Sequence, residues 1–120
     1  MRQIILAVSM VIIFSLNSTV HAHAVIIRSS LETASPRPNQ ATEVHLIFNS
    51  NIEIALSIVN LVSKGDRKHP LPLHKGRARG EIIVMLPPLP PGEYALQYKM
   101  FAADGHLTED ILKFTITEDQ

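Results

Sequence analysis

The sequence predicts a small antiparallel β-sandwich of about seven strands. Three observations carry the prediction. Apolar and polar residues alternate at a period of two in several short segments. Pro, Gly, Asn and Asp punctuate those segments. Beyond the first 22 residues, helical periodicity is almost absent.

The elements follow in order. Met1-Arg2-Gln3 precedes an apolar run from Ile4 to Leu16, then the small and polar stretch Asn17 to Ala22. A basic start, a short apolar centre and a small-residue end make residues 1–22 a cleavable export signal, too short in its apolar part to span a bilayer. Residues 23–120 then form one domain, with enough chain for one core. Segment 23–28 (HAVIIR) is the first strand. Residues 29–40, rich in Ser, Pro, Asn and Thr, are a connection. In 43–48 (EVHLIF), Val44, Leu46 and Phe48 share one face. Segment 54–62 (IALSIVNLV) reads as a buried strand, with a short helical turn placed before it near 49–53.

Residues 63–80 are polar and basic, with a weak edge strand near 70–74, because prolines are tolerated at sheet edges. Segment 81–86 (EIIVML) is a strand, and 87–92 (PPLPPG) is a rigid turn. In 93–101 (EYALQYKMF), Tyr94, Leu96, Tyr98 and Met100 alternate against polar residues. Asp104-Gly105 is a turn signal, and 107–117 closes the sandwich.

Composition narrows the function. The chain has no Cys, so disulfides and thiolate metal sites are excluded; any metal must be held by His, carboxylate, Met or backbone. Of the charged residues only Arg2 lies in the leader, leaving ten Lys and Arg against eleven Asp and Glu. That near-neutral balance makes no case for nucleic acid or an anionic membrane surface. No later segment approaches spanning length.

Two small-x-Ala sites end the leader. Cleavage after Ala22 makes His23 the first residue, with its α-amine and ring Nδ1 both available to one metal ion, a chelate that favours a tetragonal ion such as Cu(II). Cleavage after Ala24 starts the chain at Val25 and removes that chelate. A second cluster is Asp104-Gly105-His106. Residues two apart on extended backbone project to one side, and Gly105 permits a tight turn between a carboxylate and an imidazole. Alone, the bland reading of this cluster is a turn followed by a surface histidine.

These residues, with three further stretches, carry a resemblance. The opening His23-Ala24-Val25-Ile26 with Ser29-Ser30, Pro38 followed by Glu43 to Phe48, Leu89-Pro90-Pro91-Gly92-Glu93-Tyr94, and Ala103-Asp104-Gly105-His106 followed by Phe114-Thr115-Ile116 together resemble the CopC family of periplasmic copper-binding proteins. The resemblance covers essentially all of residues 23–120. It implies an immunoglobulin-like or cupredoxin-like Greek-key sandwich in the periplasm that binds one Cu(II) per chain. The ligands it implies are His23 through its amine and ring, Asp104 and His106, and it favours cleavage after Ala22. It also implies copper resistance or homeostasis as the setting, a CopD-type inner-membrane copper transporter as partner, and no enzymatic activity.

The sequence departs from the family pattern at Leu107, where many members have Pro, and at Glu109-Asp110, where many have Gly. In Phe48-Asn49-Ser50, the acidic residue some members place near copper is replaced by Ser50. Residues 63–80 contain no Met, so no thioether Cu(I) site is expected there. Met85 and Met100, in apolar strands, read as core. His69 and His74 read as solvated loop residues, His45 as an outer-face residue, and the basic run Arg67, Lys68, Lys75, Arg77 and Arg79 as a solvated face. Two other functions compete. A histidine-brace copper oxidoreductase would use the same terminal His, but the chain is short for that class and offers no Trp for a flat substrate surface. A structural sandwich without metal would follow if the chain began at Val25.

Overall fold

The computed structural model describes residues 24–118. It contains eight strands: β1 (Ile26–Ser29), β2 (Thr42–Phe48), β3 (Ile58–Ser63), β4 (Arg67–Pro70), β5 (Leu73–Lys75), β6 (Glu81–Leu86), β7 (Gly92–Phe101) and β8 (Leu107–Ile116). They form two four-stranded antiparallel sheets in the orders β1-β2-β6-β5 and β4-β3-β7-β8.

The count is eight rather than about seven. The single edge strand expected near residues 70–74 is two strands, one in each sheet. Pro70 and Pro72 lack the N–H that a continuous ladder would need. The chain therefore leaves the β4-β3-β7-β8 sheet at Pro70 and enters the β1-β2-β6-β5 sheet at Leu73. The intervening Leu71 is buried and its N–H donates to the Val59 carbonyl. Strand β4 itself escaped notice because its residues Arg67, Lys68, His69 and Pro70 are all exposed and show no alternation. The segment from Ile54 to Leu56 is a 3-10 turn rather than the start of β3; the helical turn thus falls just after the stretch expected to hold it.

Alternation builds the core. Val44, Leu46 and Phe48 of β2, with Ile82, Val84 and Leu86 of β6, face Val59 and Leu61 of β3 and Leu96, Tyr98 and Met100 of β7. Phe48 meets Tyr98 edge to face, with centroids 5.7 Å apart. Fully burying each such side chain contributes roughly 1.5–3 kcal/mol, and no disulfide exists to assist. Beyond the core, Tyr94 stacks on Phe114 and donates its hydroxyl to the Pro90 carbonyl at 2.7 Å, fixing the Pro-rich turn against the start of β7.

Met100 is fully buried, as its strand implied. Met85 is not core. It pairs with Glu43 on the outer face of its sheet and is half-buried. The uninterrupted apolar run of β6 concealed which of its residues face outward. No helix among the described residues is long and apolar enough to cross a membrane.

Candidate metal centre

The loop between β7 and β8 brings Asp104 and His106 together. The Ala102 N–H donates to the His106 carbonyl at 2.9 Å, and the Gly105 N–H donates to the Ala102 carbonyl at 2.9 Å. Gly105 sits at φ +94°, a left-handed conformation that a side chain disfavours. The loop is also tied to the segment before β3. The Ala103 N–H donates to the Asn51 carbonyl, and Ile52 forms a bridge with Ala102.

Both carboxylate oxygens of Asp104 engage His106. Oδ1 accepts the His106 backbone N–H at 3.0 Å, and Oδ2 lies 3.1 Å from the ring Nδ1. The His106 N–H, and after it the imidazole, hold the Asp104 carboxyl below the ordinary carboxylate range. Both side chains are a little over two-fifths exposed, although the His106 Nδ1 atom itself is turned inward and buried.

The start of the described chain lies beside this loop. The Ala24 N–H donates to Thr108 Oγ1 at 3.0 Å, and Ala24 is fully buried. One residue later the Val25 N–H donates to Asn49 Oδ1 at 3.0 Å, and the Asn49 N–H returns a bond to the Val25 carbonyl. Three hydrogen bonds thus fix the backbone at residues 24 and 25 next to the strand that follows His106. Sequence reasoning missed Asn49 and Thr108 as positioning residues.

His23, the remaining expected ligand, lies outside the described residues, as does the leader cleavage region. Among the described residues no group of three His, Cys, Asp or Glu side chains is close enough to hold a metal ion. Asp104 and His106 are therefore a pair rather than a complete ligand set. Ser50 is turned to the Asn51 carbonyl.

The other histidines stand apart from this loop. His45 is on the outer face, with Nδ1 2.9 Å from Glu81 Oε2 and Nε2 3.5 Å from Glu43. Glu81 also accepts the Ala78 N–H; the His45 hydrogen bond, and then that one, lower its pKa. His69 and His74 are exposed on β4 and β5. Tyr98 is core and Tyr94 is half-buried, so neither forms a flat substrate platform.

Known proteins place the fold. The structure is similar to the crystal structure of CopC from Methylosinus trichosporium OB3b, with a TM-score of 0.63 and 21% identity over 82% of this chain and 97% of that one. It is also similar to PcoC, a methionine-rich copper resistance protein from Escherichia coli, with a TM-score of 0.60 and 21% identity over 80% of this chain and all of that one. No curated protein matches the chain in sequence. The CopC domain model, however, matches residues 26–117, from the first strand through the last, and on that match the chain belongs to the CopC family.

Proposed function

We propose that the protein is an exported, periplasmic Cu(II)-binding protein that captures and hands over copper in copper resistance or homeostasis, and that it is not an enzyme. Residues 1–22 are read as the export signal and residues 23–120 as the working domain. The ligands are His23, through its amine and ring, with Asp104 and His106, one ion per chain.

The bond from Ala24 to Thr108 carries this reading. It tethers any residue attached at Ala24 within one residue of the strand that begins beside His106. Two further observations support it. The His106 Nδ1 lies 3.1 Å from Asp104 Oδ2, so the carboxylate holds the imidazole beside it in one loop. Asp104 and His106 have no third His, Cys, Asp or Glu beside them among the described residues, and a bidentate terminal histidine would bring that pair to four donors.

All the proposed donors are nitrogen or oxygen, a set suited to tetragonal Cu(II). The chain resembles CopC and PcoC in fold, and their names concern copper. PcoC is described as methionine-rich, whereas residues 63–80 here hold no Met, so the cargo is Cu(II) rather than thioether-bound Cu(I). The copper ion is cargo, and a CopD-type membrane transporter is its expected recipient. EPR of a copper-loaded His106→Ala variant tests the ligand set: a changed spectrum is expected, and an identical one removes His106 from copper.

A further inference from the structure

Near-zero net charge conceals a polarised molecule. Strands β4 and β5 are edges of different sheets, and two residues join them. The Leu71 N–H donates to the Val59 carbonyl, and the Met85 N–H donates to the Pro72 carbonyl, so the chain steps between sheets while staying on one side of the sandwich. That side gathers Lys64, Arg67, Lys68, Lys75, Arg77 and Arg79, all exposed. None of the six forms an ion pair with another described residue. Asp66 is the sole carboxylate between residues 63 and 80. Glu81, just beyond, is engaged by His45 and Ala78. The opposite side, where β8 and β1 are the edges, carries Asp104, Glu109 and Asp110, with Arg28 on β1 and Lys99 paired to Glu109.

The basic side lacks what other partners need. The large exposed apolar residues are Val25, Ile27, Leu56, Ile58, Leu107 and Ile111, all outside residues 63–80. That segment also contains no Phe, Tyr or Trp, and the aromatic residues lining the cleft beside Lys64, Tyr94 and Phe114, are half-buried and stacked on each other. A protein interface is anchored by buried aromatic or aliphatic side chains, and single-stranded nucleic acid needs stacking surfaces. A field of phosphate headgroups needs only clustered, unpaired cations.

We propose that the β4–β5 side docks on an anionic phospholipid bilayer surface. Docking there turns Asp104 and His106, on the far side of both sheets, away from the lipid and toward solvent. The attraction is electrostatic and short in range, since the Debye length is about 10 Å at 0.1 M salt. It adds to the proposed copper role and does not depend on it.

The test is sedimentation of the full chain with phosphatidylcholine vesicles, with and without phosphatidylglycerol. The readout is the difference between the two vesicle types, so apolar binding by residues 1–23 cancels. Binding to the anionic vesicles is expected to exceed binding to the neutral ones and to vanish at high salt. The combined variant Arg67→Gln, Lys68→Gln, Lys75→Gln, Arg79→Gln should lose about fivefold per cation, on the order of a hundredfold or more in all. The control Arg28→Gln, on the opposite edge strand β1, should keep binding. Circular dichroism confirms that each variant is folded. Equal binding to both vesicle types overturns the proposal. So does undiminished binding by the quadruple variant, or tighter binding to polyglutamate or to duplex DNA than to the anionic vesicles.

Discussion

The backbone N–H of Ala24 and the hydroxyl of Thr108 meet at 3.0 Å, although 84 positions separate them in the chain. This bond joins the start of the described chain to the strand that begins just after His106. It places Ala24 beside the strand that follows the Asp104–His106 pair.

Thr108→Val keeps the side-chain volume and removes the acceptor. The part-buried Ala24 N–H is then left unsatisfied, at a cost of about 1–3 kcal/mol. Chemical denaturation should register that loss, and Cu(II) affinity should fall with it. Thr115→Val, on the exposed face of the same strand, should change neither.

Asp104→Asn removes the charge while keeping the shape. Copper affinity should fall by more than the roughly ten- to hundredfold lost when an outer-sphere partner of a metal ligand is changed. Without metal, the loop has its own pH dependence. The Asp104 pKa is lowered in the folded protein, so the bond to His106 is fully formed above the unfolded carboxylate range and lost as pH falls through the depressed folded value. Protection of the His106 amide should therefore be lost only below the ordinary Asp range. Loss of protection beginning above that range would contradict the geometry.

Glu81 behaves similarly on the other face. Its folded pKa is lowered, first by His45. The stability it confers is present above the unfolded Glu range and lost as pH falls through the folded value. Glu81→Gln should therefore lower stability at neutral pH and flatten the acid limb of a denaturation series. A wild-type acid limb in that variant would remove Glu81 from the account.

The two methionines should separate cleanly. Met85→Leu, on the half-buried outer face, should cost less than about 1.5 kcal/mol and leave Cu(II) binding unchanged. Met100→Ala, at a fully buried site, should cost about 2–5 kcal/mol. Altered copper affinity in Met85→Leu would point to a thioether ligand.

The sandwich was legible because Val44, Leu46 and Phe48, and likewise Leu96, Tyr98 and Met100, alternate with polar residues across their strands. Strand β4 was hidden because Arg67 to Pro70 buries nothing and leaves no period to detect. Met85 was misplaced because Ile82 to Leu86 is apolar on both faces. The pairing of Asp104 with His106 was readable from their spacing around a glycine. The clamp at Ala24 and Val25 was not, since Thr108 and Asn49 act only through partners many positions away. The basic run from Arg67 to Arg79 was readable as a charged face, but not its division between β4 and β5, edge strands of two different sheets.

The central claim is that a terminal amine and imidazole complete the pair formed by Asp104 and His106. The most direct measurement is a Cu(II) titration, followed by EPR, on two forms of residues 23–120, one beginning at His23 and one with a single residue placed before it. The account predicts one tightly bound Cu(II) in the first form and a large loss of affinity with an altered spectrum in the second, both remaining folded. Equal affinity and identical spectra in the two forms would contradict it.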